Sequence, residues 1–122
     1  MAEYNVPDRR AVALLTVDLQ RDFAKNGSPI QTSGITCTMP RLVQLVLAFR
    51  EQNLPVFHSV RLYRPDGSNV DLCRRSAVEE GLRVLMPGTF GAELLPDIQA
   101  DRSVRLDGEA LLGGEFQHLG RK

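Results

Sequence analysis

A chain of 122 residues with 43% hydrophobic and 25% charged side chains has the make-up of one globular domain and argues against a disordered segment. Lysine plus arginine, 15 in all, balance 15 aspartate plus glutamate, which argues against broad electrostatic binding to nucleic acid or to an anionic membrane. No apolar run approaches the roughly 20 residues that cross a bilayer, "MAEYNVPDRR" lacks the apolar core of a secretory signal, and two cysteines are too few for a disulfide framework, so a reduced cytoplasm is the expected location.

Residues 1–10 are polar, contain Pro7 and read as a flexible lead-in to a single domain over 1–122. The run AVALLTV (11–17) is short, β-branched and bounded by polar residues, which predicts a strand covered on both faces and therefore a parallel sheet. Residues 24–37, rich in Gly, Ser, Asn and Thr, predict a loop. A helix is expected from about Thr38, which can cap it, with Pro40 in its first turn. Leu42, Leu45, Val46 and Phe49 supply one apolar face, and Asn53 is a plausible stop. PVFHSV (55–60) predicts a second buried strand, so the first half of the chain reads as a right-handed βαβ unit.

Beyond it, Pro65-Asp66-Gly67 signals a turn. Residues 70–85 predict a helix with Val70, Cys73 and Ala77 facing inward, and 86–96 a loop with at most a short helical piece. Short strands at 103–106 and 109–112 would flank the hairpin dipeptide Asp107-Gly108, and "GGEFQHLGRK" closes the chain with little periodicity. Two parallel strands fall short of the five or six of a doubly wound sheet, and a two-stranded core leaves apolar edges uncovered.

In open α/β sheets ligands bind beyond the carboxyl ends of the strands. Asp18 ends the first strand. It reads either as a general base at that crevice or as an Asx cap of the following turn. Asp22 reads as a solvated loop residue or cap. Phe23 reads as a pocket-lining aromatic or as core. Arg61 follows the second strand and reads as a clamp for a substrate carboxylate or as a surface arginine paired with Asp66 or Asp71; Arg64 is similar. His58 lies among apolar residues, and a core histidine satisfied by backbone is the simpler reading. Both Cys37 and Cys73 read as buried structural thiols. No HxH, HExxH, CxxC, GxGxxG or P-loop spacing occurs, so neither a metal nor a cofactor is expected.

The ordered series of motifs resembles the isochorismatase-like cysteine hydrolases. "ALLTVDLQRDF" is similar to their opening strand and its D-L/M/F-Q-x-D-F signature. "LPVFHSVRLYRPDGSNVDLCRR" is similar to the second strand and following loop of one branch, "MPGTFGAELLPDI" to the next segment, and "LLGGEFQHLG" to the approach to the third strand. The resemblance implies an α/β fold, a doubly wound parallel sheet with helices on both faces, here incomplete. It also implies a triad of aspartate, lysine and cysteine in which the aspartate activates the thiol for attack on a carbonyl or nitrile carbon. Asp18 matches the aspartate. The lysine motif K-x-x-Y/W-S/G-A-F, the later cysteine and the D-x-H metal pattern of the nicotinamidase branch have no counterpart among these residues.

The expectation is therefore the N-terminal half of such a hydrolase, acting on a small amide-like or related substrate when the catalytic half is present and inactive alone. Asp18 would be catalytic, with Phe23 and Arg61 on the substrate. The alternative is a non-catalytic α/β module that self-associates through an unpaired sheet edge. Either way a homo-oligomer is expected, with no nucleic-acid or membrane partner.

Overall fold

The computed structural model describes residues 6–99 and the backbone of two further strands, 104–106 and 114–118. In chain order the elements are β1 (Leu14–Val17), α1 (Arg21–Ala24), α2 (Ile35–Glu51), β2 (Val56–Arg61), α3 (Leu72–Glu79), two single-turn 3-10 helices (Phe90–Ala92 and Pro96–Ile98), β3 (Val104–Leu106) and β4 (Gly114–His118). Of the expected lead-in, residues 6–10 are exposed and residues 1–5 lie outside the described residues.

The expected βαβ unit is present. β1 and β2 pair in parallel, with Leu14 opposite Val56 and Val17 opposite Ser59, and α2 makes the crossover. The sheet order is β1-β2-β4-β3. β4 runs antiparallel to β2 and to β3, so the sheet is mixed. The pairing partner and direction of a strand are not written in its own alternation, which specifies only which face is buried. Of the two expected late strands, 103–106 meets β3 at Val104–Leu106, while 109–112 lies outside the described residues; a strand also runs over Gly114–His118.

α2 begins at Ile35, three residues before the expected start, behind Gly34 in a left-handed conformation (φ 77°). Thr38 therefore sits inside the helix. Its hydroxyl donates back to the Gly34 carbonyl at 3.1 Å instead of capping free amides, and Pro40 falls in the interior rather than in the first turn. The far end follows expectation. Asn53 takes a left-handed φ of 55°, its amide bonds the Arg50 carbonyl (3.0 Å), and the Leu54 amide bonds that of Phe49 (2.9 Å). That pair of bonds is a Schellman stop, which Asn tolerates because it enters the left-handed region at low cost.

Val46 is buried at the centre of the helix–sheet core, against Leu19, Val56, Val60, Leu94 and Ile98, and Leu42, Val43 and Phe49 pack around them. Burial of one such side chain contributes about 1.5–3 kcal/mol. Leu45, expected in this stripe, is 44% exposed. A second core joins Phe23, Tyr63, Val70, Val84 and Leu85. β1 is not covered on both faces as its composition predicted: Thr16 is buried while Leu15 and Val17 stand 54% and 57% exposed on the other side. α3 is shorter than the expected 70–85, and Cys73 points outward.

His58 is fully buried. Its Nδ1 meets the Thr16 hydroxyl across the parallel pair at 2.5 Å, so a side chain, not backbone, satisfies it. Nε2 has no hydrogen-bond partner among the described residues. Burial, helped by the Arg50 charge, lowers its pKa to about 4. The neutral ring is thus the folded form, while the unfolded chain binds a proton near the ordinary value of 6.5. Stability is then intact above pH 6.5 and falls as pH drops towards 4, by about 2–3 kcal/mol between pH 7 and pH 4.5. Urea midpoints measured at those two pH values should show that loss in the wild type, and His58→Gln should remove most of the difference between them.

Candidate active site

β1 ends on Asp18, and each of the next five residues has a structural task. Asp18 continues the ladder by donating its amide to the Ser59 carbonyl (2.9 Å), then turns the chain with a left-handed φ of 56°. Leu19 enters the helix–sheet core. Gln20 is fully buried and works as an extra piece of sheet. Its Oε1 accepts the Arg61 amide (2.7 Å), and its Nε2 donates to the carbonyls of Arg61 and Ala92 (2.8 Å each). Arg21 lies over the Phe90 ring, 4.0 Å from its centre, and pairs with Glu93.

Asp22, read from sequence as a solvated loop residue or cap, instead reaches across 63 positions to accept the Leu85 amide at 2.7 Å. Leu85 is itself buried with a left-handed φ of 55°, and its carbonyl accepts the Tyr63 amide (2.8 Å). Phe23 is buried in the second core beneath the Arg74 guanidinium, 5.4 Å from its ring centre. Its ring supports the site from below.

The structure brings Asp18 and Arg61 together. Arg61 Nε and Nη2 both stand 3.3 Å from Asp18 Oδ2, while Nη1 donates to Asp71 Oδ2 at 2.6 Å. Both side chains of the Asp18–Arg61 pair are a little over a quarter exposed, so the cluster opens to solvent without lying free in it. Asp71 Oδ2 also receives the Tyr63 hydroxyl (2.6 Å) and Arg74 Nη1 (3.0 Å). Burial of Asp71 would raise its pKa, but the Tyr63 hydrogen bond and the Arg61 charge outweigh it and hold the carboxyl below its usual value. Tyr63 is shifted upward by burial and by its donation to Asp71. For Arg61, burial acts downward and the charges of Asp18 and Asp71 outweigh it, so the guanidinium stays charged.

Of the two pairings considered for Arg61, Asp71 is the one formed, joined by Asp18. Asp66 instead accepts the Ser68 amide in its own turn (2.9 Å), and Arg64 is exposed, its amide donating to Asn69 and its guanidinium to Ser68. Sequence reasoning named Asp71 only as a surface partner for Arg61 and did not name Tyr63. Asp71 immediately precedes α3, where an aspartate ordinarily caps the helix for about 1 kcal/mol. Its side chain makes no cap hydrogen bond and is spent on Arg61, Tyr63 and Arg74. Cys37 and Cys73, expected to be buried, are both exposed. Among the described residues no three His, Cys, Asp or Glu side chains are grouped to hold a metal ion. A separate cleft of about 630 Å³, lined in part by Arg9, Arg10, Val12, Asn53 and Phe57, lies at the other ends of β1 and β2, away from Asp18.

The model of the isochorismatase domain matches residues 12–106, which include every residue of this cluster. The chain belongs to the isochorismatase family. An Arabidopsis thaliana protein named "Probable inactive nicotinamidase" is 33% identical over 87 residues, 70% of this chain and 44% of that protein. A solved isochorismatase family protein from Desulfovibrio vulgaris is 33% identical with a TM-score of 0.66, over 72% of this chain and 46% of its own. A second solved structure, from Oleispira antarctica and assigned to the isochorismatase hydrolases, is 27% identical with a TM-score of 0.55, over 78% and 44%. The α/β fold is therefore the isochorismatase-like one, and the chain spans less than half the length of these relatives. No helix among the described residues is long and apolar enough to cross a membrane.

The family segment "PGTFGAE" now has a local reason for its second glycine. A Cβ placed on Gly91 would run into the Asp22 carboxylate, and the backbone there must come that close for Asp22 to reach Leu85. Gly91→Ala should lower stability by about 1–3 kcal/mol. Adding Asp22→Ala, which removes the obstructing group, should cost less than the sum of the two single changes in a chemical-denaturation cycle. Additive costs would contradict the close approach.

Proposed function

We propose that this chain carries the aspartate side of an isochorismatase-family cysteine hydrolase site, for a small amide-like or related substrate. The observation that supports this best is the placement of Asp18: a carboxylate at the carboxyl end of β1, a little over a quarter exposed and held by a partner from β2. In the mechanism the family resemblance implies, that carboxylate takes the proton of a cysteine thiol as the sulfur attacks the carbonyl or nitrile carbon. The lysine and cysteine of that mechanism have no counterpart here. Cys37 lies in the first turn of α2 and Cys73 in α3, while the lysines are Lys25 and Lys122. These 122 residues alone accordingly turn over no substrate. The naming of the Arabidopsis relative as inactive is consistent with family members of this kind that lack activity. Arg61 stands beside Asp18 at this mouth and the buried Phe23 ring supports the cluster from below, in a cytoplasmic protein with no nucleic-acid or membrane partner.

A second reading has its own observation. β1 is an outer strand of the described sheet order and exposes Leu15 and Val17 on one face, which favours a module that associates with its own copies there. Reading the gene past Lys122 separates the two. An open frame leading into K-x-x-Y/W and a later cysteine is expected for the hydrolase, and a stop codon favours the module. Purified 122-residue protein should hydrolyse no amide in a thiol-dependent way. Such turnover, abolished by Asp18→Asn, would overturn the proposed division of the triad.

A further inference from the structure

We propose that Arg61 is a positioning residue for Asp18, itself set in place by Asp71, rather than a free clamp for a substrate anion; this rests on the reading of Asp18 as the site's base. Both Arg61 contacts fall on one oxygen, Asp18 Oδ2, and among the described residues Oδ1 accepts no side-chain hydrogen bond. One oxygen is pinned and the other keeps its lone pairs for a proton, which is the geometry a general base requires. The far side of the same guanidinium is taken by Asp71 at 2.6 Å. Asp71 is in turn fixed by the Tyr63 hydroxyl and by Arg74, so the orientation of Arg61 is set from helix α3 and the loop before it, not from β1.

Two broken local preferences support this reading independently of each other. Asp71 stands where an aspartate caps a helix and makes no cap bond, and Asp18 holds a left-handed backbone that glycine or asparagine takes more readily. Departures of this kind concentrate at functional sites, because something other than local stability selects them. The two arginines and two aspartates of the cluster balance in charge. The planar fork of Arg61 is used on both edges, which leaves it committed to the protein's own carboxylates.

The linkage is read directly from solvent exchange of the Arg61 side-chain Nε–H, observed by ¹⁵N NMR in the 122-residue chain. That hydrogen faces Asp18 and does not touch Asp71. Asp71→Asn should nevertheless speed its exchange about tenfold, because the guanidinium loses its anchor. Tyr63→Phe, which deletes one hydroxyl, should speed it about two- to threefold with the amide spectrum otherwise intact. Asp71→Glu should restore much of the protection. An Asp71 that served α3 alone would leave this hydrogen unmoved. Unchanged exchange in Tyr63→Phe, or in a folded Asp71→Asn, would overturn the proposal. The measurement needs no turnover, so a negative result strikes the positioning role alone. The gene reading and the activity assay strike the hydrolase reading.

Discussion

The side chain of Gln20 joins three parts of the chain that are far apart in sequence. It has no exposure, and its amide satisfies both backbone groups of Arg61 and the carbonyl of Ala92. A buried amide with its hydrogen bonds made contributes modestly, but one left unmade costs about 1–3 kcal/mol per group. Were Gln20 replaced by an apolar residue, the end of β2 and the turn at Ala92 would lose their partners together. Because Arg61 is the residue whose backbone Gln20 holds, the same contact that closes the fold also sets where the Arg61 guanidinium starts from.

From that anchor the site is built outward by acids used as structural ties. Asp22 holds the Leu85 amide, and Leu85 holds Tyr63. Tyr63 donates to Asp71, Asp71 takes one edge of Arg61, and Arg61 meets Asp18. The D-L-Q-R-D-F segment therefore contributes at both ends of the chain of contacts, through Asp18 at one and Asp22 at the other. Phe23 and Tyr63 share an apolar core beneath it, which keeps water from one side of the charges and strengthens their attraction. A cluster assembled this way has little freedom to rearrange one member alone.

Much of this was legible in the residues. The apolar run ending on Asp18, the helical spacing that places Val46 and Phe49 on the core side, the Asn53 stop and the second strand followed by Arg61 all rest on short-range rules. The start of α2 was misplaced because Thr38 and Pro40 resemble a cap and a first turn, while Gly34 offers an equally serviceable entry in a left-handed conformation. The roles of Asp22 and Gln20 were hidden for a different reason. Each spends its polar group on a residue that only folding brings near, and a carboxylate in a loop looks the same whether it meets water or a buried amide.

The sequence by itself determined the βαβ unit, the family and the position of a carboxylate at the end of the first strand, because periodicity, caps and an ordered motif are properties of neighbouring residues. Tertiary structure alone decided that the sheet is mixed, that one face of β1 stays open and that Arg61 stands between two acids. Strand direction and charge pairing depend on contacts between distant segments, and neither alternation nor composition records which segment arrives.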